Sequence, residues 1–444
     1  MFDSGLAASL ALAMVLCAPA ASGARAPLPA DDSVWITVDA DIFASAQRRL
    51  APLPGLAGGV VLEKLDAHAG VVLTRLPAAA IDALAEIVHT EFRRCGGFIR
   101  HASRARAEAA MDRLREPRLL PLVLPFTIDQ QAWVAALAGQ VSEPAILSTI
   151  TELSTAFPNR YHAHHAVHHS ADWIRNLWLS LAAQRPDVTV DFFDHGGLTP
   201  QPSVILTIPG SSLPGEIVVL GGHQDSTRFG CSISSNPACV APGADDDASG
   251  IAVLTEVIRV ALANGFRPQR TVQFMAYAAE EVGLVGSEDI AATYDAQGKN
   301  VVAVLQQDMT AWEGSVQDIY VYTGNTDPEL NAFVSDLVET YQPTLGWGSS
   351  TCGYACSDHA SWWQFGYRAS FAFESTFDQS NPYIHSINDT VASFGGSAVH
   401  AAKFARLAAA FMVETGLDGV VPPPMPFLDG FETADTSRWT VTIP

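Results

Sequence analysis

Between residues 217 and 390, one apolar run after another ends on acids and histidines. Ile217 to Leu220 leads into Gly221-Gly222-His223-Gln224-Asp225-Ser226. Val272 to Ala278 leads into Glu280-Glu281 and opens onto Gly283. Val301 to Leu305 leads into Gln307-Asp308-Met309, and Tyr383-Ile384-His385 follows the run Ala369 to Phe373. Runs of this length bounded by turn residues read as buried strands. Between them lie helical stretches: Ala248 to Ala263, ended by Asn264-Gly265, and Pro328 to Tyr341, capped by Thr326-Asp327. The stretch Ala398 to Val413 reads as a closing helix. Strands alternating with helices predict an α/β fold, with a mostly parallel central sheet and helices on both faces. In such sheets the loops after the strands converge at one edge, where sites are built.

The converging residues have a definite chemistry. Two imidazoles and several carboxylates are the ligands of a two-metal hydrolase. A dinuclear zinc site needs one carboxylate that bridges the ions, about 3.5–4 Å apart, and one His and one further acid for each. Asp246, in the loop Gly243-Ala244-Asp245-Asp246-Asp247-Ala248-Ser249-Gly250, suits the bridge. Asp225, two residues beyond His223, suits the support of that imidazole. In an extended segment neighbouring side chains point opposite ways, so Glu280 and Glu281 divide into a base and a ligand.

With 444 residues, 48% hydrophobic and 16% charged, the chain is globular and long enough for more than one domain. Its net charge of −22 resides after residue 124 and disfavours nucleic acid and anionic membranes. No transmembrane span is expected beyond the apolar N-terminus, Leu6 to Ala21, which reads as a secretory signal despite the acidic Asp3 before it. Secretion, extracellular or periplasmic, makes Cys231 with Cys239 and Cys352 with Cys356 two local disulfides; Cys95 is left unpaired. The expected divisions are a signal at 1–23, a small α+β pro-region at 24–123, the α/β domain at 124–418, and a Pro-rich linker with a short tail at 419–444. Within the pro-region, Pro77 to Phe92 has helical periodicity, and the Arg-rich stretch 100–118 reads as an exposed, cleavable linker. The histidines 162, 164, 165, 168 and 169 read as a solvated helix face.

The strings GGHQDS, APGADDDASG, AYAAEEVGLVGS, GKNVVAVLQQDMT, TCGYACSDHASW and NPYIHSINDT give residues 126–417 a specific resemblance. They are similar to peptidase family M28, zinc aminopeptidases of the zinc-exopeptidase fold, and especially to its secreted bacterial leucyl aminopeptidases. The resemblance implies two Zn²⁺ per chain. His223, Asp246 and Asp308 match the ligands of one; Glu281, His385 and the bridging Asp246 match those of the other. Glu280 matches the general base acting on a metal-activated water, and Tyr354 the residue that stabilises the oxyanion. Asp225 and Asp247 match supporting positions, and the Asp246–Asp247 peptide is implied to be cis. The implied substrate pocket is Met309, Tyr322, Cys352, Cys356, Phe371, Phe373, Phe377 and Ile384, a wall suited to a large hydrophobic N-terminal residue. Trp35-Ile36 and Arg94-Cys95-Gly96-Gly97 resemble the inhibitory pro-region of those enzymes, which makes the chain a zymogen.

This sequence departs from the pattern at the Cys231–Cys239 loop, at Tyr322 where a smaller aliphatic is usual, and in the His162–His169 cluster. The implied partners are peptides with a free N-terminus, acted on by a monomer. Two other members of the same fold are competing readings: a glutaminyl cyclase, which uses one zinc, and a non-catalytic domain, which would lack ligands or base.

Overall fold

A computed structural model describes residues 33–417 except 52–59, 93–95, 117–123, 125, 164–168, 232–235 and 237. The signal, the C-terminal tail, Cys95 and the start of the α/β domain at 124–125 therefore lie largely or wholly outside the described residues.

Residues 33–116 form a four-stranded antiparallel sheet with helices. In chain order these are β1 (Ser33–Asp39), α1 (Ala40–Leu50), β2 (Asp66–His68), β3 (Val71–Pro77), α2 (Ile81–Ile87), β4 (Phe98–His101) and α3 (Arg104–Arg115). The sheet order is β2-β3-β1-β4. β1 and β3 each carry a run of three buried residues, because α1 and α2 cover one face of the sheet and Ala107 and Met111 of α3 pack on Leu73 at the other. Ile36, Ile42, Leu84 and Val88 are almost wholly buried between this sheet and its helices. The helical stretch expected over 77–92 is present but broken. A 3-10 turn (Ala78–Ala80) precedes α2, and a π turn (Val88–Phe92) follows it.

The α/β domain begins with α4 (Gln131–Ala138), α5 (Glu143–Ala156) and α6 (His169–Leu181). β5 (Thr189–Phe193), β6 (Ser203–Ile208), β7 (Leu213–His223), α7 (Ala248–Ala263), β8 (Arg270–Tyr277), α8 (Val285–Ala296) and β9 (Asn300–Gln307) follow. The last elements are β10 (Ile319–Tyr322), α9 (Pro328–Tyr341), β11 (Trp347–Ser350), α10 (His359–Gln364), β12 (Ala369–Phe373) and α11 (Val399–Gly416). The sheet order is β11-β10-β12-β9-β7-β8-β6-β5. Its centre, β12-β9-β7-β8, is parallel, and antiparallel pairing enters at β6 and β5 on one side and between β12 and β10 on the other. β8 is buried at all eight positions, as a strand covered on both faces must be. α7 and α11 supply much of the cover on one face, in one core with Val218, Leu220, Phe274 and Leu305.

Two expectations need correction. The stretch 104–115 is a helix docked on the α/β domain, not an exposed linker. Its small face, Ala107, Ala110 and Met111, is buried. Its arginines find acids far away in sequence: Arg106 Nη1 lies 2.7 Å from Asp289 Oδ1, and Arg113 Nη2 lies 2.5 Å from Asp295 Oδ2. Arg118 lies outside the described residues. His162 is buried rather than solvated, packed edge-on against Tyr161. His169 opens α6 and donates to Asn159 O at 3.3 Å; the three histidines between lie outside the described residues.

Candidate metal centre and active site

The parallel centre of the sheet sets the site. β7, β8 and β9 run side by side, so their C-terminal ends deliver His223, Glu280-Glu281 and Asp308 to one edge. The turn after β8 reverses sharply through left-handed residues: Ala279 at φ 59°, Gly283 at φ 105° and Leu284 at φ 53°. This bends the chain so that the 3-10 turn Glu280–Val282 faces the edge. Met309 and His385 are also left-handed, at φ 56° and φ 54°. Several such residues in one loop cluster mark a built site rather than a random surface.

Asp247 organises the approach of α7. Its side chain caps the helix by accepting from Gly250 N at 2.7 Å, and also accepts from His223 N at 2.9 Å and Met309 N at 3.3 Å. Gly250 is glycine because a Cβ there would collide with Gln307 O at the end of β9. Asp225 supports the neighbouring loop, accepting from Glu280 N at 3.0 Å and Glu281 N at 3.2 Å, and lies 3.5 Å from His223 Nδ1. The Asp246–Asp247 peptide is cis.

At the centre, the two oxygens of Asp246 face two imidazoles. Oδ1 lies 3.0 Å from His223 Nε2, and Oδ2 lies 2.8 Å from His385 Nε2. Asp308 Oδ1 completes one group, 3.5 Å from His223 Nε2, and Glu281 Oε2 the other, 3.1 Å from His385 Nε2. All five side chains are buried. Both carboxylate oxygens of Glu280, and Oδ1 of Asp308, are buried with no hydrogen-bond partner among the described residues. A buried carboxylate left like this is costly unless a cation meets it. Imidazole nitrogens and carboxylate oxygens in two groups that share Asp246 suit a divalent metal such as zinc. The residues present therefore fit a metal centre.

Burial sets the electrostatics. It pushes Glu281 up to about 7, with the His385 charge opposing, and pushes Glu280 well above the ordinary carboxylate range, with His223 opposing and Glu281 adding. Burial would also raise Asp246, but hydrogen bonds from His223 and His385 outweigh it and hold Asp246 far below its usual value. Asp246 is thus held in the ionised form, where burial pushes Glu280 and Glu281 toward the neutral one.

The residues that the sequence assigns to the substrate pocket pack into one cluster. Met309, Tyr322, Cys356, Phe371 and Phe373 are buried together with Tyr354, and Cys352, Phe377 and Ile384 pack against them. Tyr322 lies against Phe371 and Phe373, with ring centroids 5.3 and 4.8 Å away, and its hydroxyl donates to Ser375 O at 3.3 Å. That hydroxyl thereby has partners within the protein, Ser375 O and the Ser350 side chain. Tyr320 belongs to the same cluster. Both expected disulfides are formed; Cys352–Cys356 closes the short loop that carries Tyr354.

Several other contributors escaped the sequence reading. Asp389 accepts from Asp245 N at 3.0 Å and Asp246 N at 3.2 Å, fixing the loop that carries Asp246. Arg160 is buried and ties two ligand loops together, donating to Gln224 O and to Gly243 O, each at 2.8 Å. Ser357 donates to Asp308 Oδ2 at 2.6 Å. Asp389 and Ser357 stood inside strings already singled out, NPYIHSINDT and TCGYACSDHASW. Arg160 gave no local signal, since the loop carbonyls it joins, those of Gln224, Pro242 and Gly243, are more than sixty residues away.

A mixed α/β sheet with a buried His/carboxylate metal centre at the ends of its parallel strands defines a metal-dependent hydrolase. The family model described as peptidase family M28 matches residues 203–412. A probable leucine aminopeptidase of Trichophyton verrucosum is 35% identical over 294 residues, 65% of this chain and 78% of that one. Leucine aminopeptidase 1 of Fusarium vanettenii is 36% identical over 302 residues, 65% of this chain and 74% of that one. Among solved structures, the LapA aminopeptidase of Legionella pneumophila superposes with a TM-score of 0.72 at 25% identity, covering 88% of this chain and 99% of that chain. The chain belongs to peptidase family M28 and is a metallo-aminopeptidase.

Proposed function

We propose that the chain is a secreted dinuclear zinc aminopeptidase that removes large hydrophobic N-terminal residues from peptides. The observation that carries this reading is the position of Asp246, one oxygen on each of two His/carboxylate groups. His223, Asp246 and Asp308 would hold one ion, and Asp246, Glu281 and His385 the other. The ions would supply Lewis acidity toward the scissile carbonyl and toward water. Glu280, buried with unpaired oxygens, is the group to take a proton and pass it to the leaving amine. Tyr354, held by the Cys352–Cys356 loop, is the donor for the developing oxyanion. The free α-amine of the substrate would lie close to the metal pair.

The pocket wall is aromatic and apolar, and the Tyr322 hydroxyl is occupied by Ser375 O, so Tyr322 acts as a wall rather than a polar contact. One methylene in such a pocket is worth about 1–3 kcal/mol, so preference should be graded. The test is hydrolysis of Leu-, Phe-, Lys- and Glu-anilides beside N-acetyl-Leu-anilide. Leu and Phe should be cleaved fastest and the acetylated substrate not at all. Fast cleavage of the acetylated substrate would remove the free-amine requirement, and preference for Lys or Glu would refute the pocket assignment. Two disulfides and an apolar N-terminus support export, and the docked unit 33–116 supports its role as a masking pro-region.

A further inference from the structure

The unit formed by residues 33–116 does more than lie over the site. The π turn after α2 carries His89 into it. His89 is 3% exposed, and its ring stands over that of His385, centroids 4.4 Å apart, and beside Phe229, 4.7 Å away. Its Nε2 points at Glu281 Oε2 from 3.8 Å. One ligand atom each from His89, Glu281 and His385 lie within 4.8 Å of one another, a second three-residue group beside His223, Asp246 and Asp308.

The placement is rigid. The same unit is tied to the α/β domain on both sides of the site. Gly97 N donates to Ala355 O at 2.9 Å, beside Tyr354, and Arg100 N donates to Gly283 O at 2.9 Å, on the turn that holds Glu280 and Glu281. At Gly96, φ 64°, a Cβ would collide with Ala355 O, so the approach requires glycine. His101 Nδ1 lies 3.0 Å from Glu288 Oε1, and Tyr161 OH donates to Asp82 Oδ1 at 2.6 Å. These contacts fix the register of the π turn against the metal centre.

We propose that His89 is a metal ligand, supplied by the N-terminal unit to the ion shared by Asp246, Glu281 and His385. It caps that ion with an imidazole where a substrate amine would otherwise approach, and so holds the uncut chain latent. This rests on the two-ion reading above and goes beyond it by assigning a ligand from outside the α/β domain.

The test uses the full chain, stripped with chelator and reloaded with Co²⁺ or Zn²⁺. Metal content is measured first, then the number of imidazoles bound per metal by X-ray absorption. Three imidazoles over two ions are expected, against two without His89. His89→Phe keeps a ring but no nitrogen, and His89→Gln keeps polarity but no imidazole. Both should change the visible spectrum of the Co²⁺ form and lose metal to chelator on the order of 10–100-fold faster, a span typical of impaired metal-site support. A wild-type chain with two ions but two bound imidazoles would overturn the His89 assignment alone. So would an unchanged Co²⁺ spectrum and chelator resistance in both variants. A wild-type chain that binds no second ion would overturn the two-ion reading, and His89 with it.

Discussion

At the scale of single residues, the proposed mechanism separates holding metal from moving protons. Glu280 is buried beside the ligands, yet neither of its oxygens has a partner among the described residues. Glu280→Gln preserves shape and should keep the fold and the metal while turnover falls on the order of a thousandfold, within the range of general acid–base catalysis. Elemental analysis beside turnover checks this; comparable turnover would show that another group handles the proton. Asp246→Ala should lose metal along with activity, because its two oxygens face both groups. His223, Glu281 and Asp308 were legible because each follows a strand whose apolar run ends sharply, and Asp246 because it stands in a Gly/Asp loop just before a helix. Asp389 and Arg160 were not, because an acid that accepts only backbone N–H and an arginine that donates to carbonyls leave no periodic trace. His89 was hidden for another reason. The apolar face Ile81, Leu84, Ile87 and Val88 explained that stretch as helix, and only the π turn directs the next residue into the site.

At the scale of elements, α11 shows how a buried histidine couples a helix to pH. His400 is 4% exposed in the first turn, and Lys403 Nζ donates to its Nδ1 at 3.0 Å. Its Nε2 donates to Glu374 O at 3.4 Å, and Glu313 stands 3.7 Å from its Nδ1. Burial, with Lys403 adding, lowers it to about 4. The folded chain thus prefers neutral His400, while the unfolded chain takes a proton near pH 6.5. The stabilisation is present above about pH 6.5 and is lost as pH falls toward 4. His400→Gln should flatten the fall in stability over that window by up to about 3 kcal/mol, read from denaturant melts at pH 7 and pH 4.5. An unchanged slope would contradict the assignment. Element boundaries were legible where caps and buried runs were strong: α7 (Ala248–Ala263), α9 (Pro328–Tyr341) and β12 (Ala369–Phe373) stand where the sequence puts them. The Arg-rich helix α3 was misjudged because its buried face is alanine and methionine, a weak apolar signal, and its charge partners come from α8.

At the scale of the whole molecule, the parallel centre of the sheet follows from alternating strands and helices, whereas the docking of residues 33–116 is a tertiary fact that no local pattern carries. If the unit is a masking pro-region, as proposed, that docking changes what cleavage must achieve. Arg106 and Arg113 of α3 pair with Asp289 and Asp295, and a cut after α3 breaks neither pair covalently. A cut after α3 should therefore leave activity low until the N-terminal unit is separated, for instance by gel filtration at high salt, which screens such pairs. Activity on Leu-anilide should rise on separation. Equal activity of the uncut chain and the separated α/β domain would refute masking.

The central claim is that Asp246 is shared by two metal sites. Elemental analysis of the active α/β domain, titrated with Zn²⁺ against Leu-anilide hydrolysis, tests it most directly. The account predicts about two zinc ions per chain, with full activity reached only as the second binds. Full activity at a stable ratio of one would contradict it.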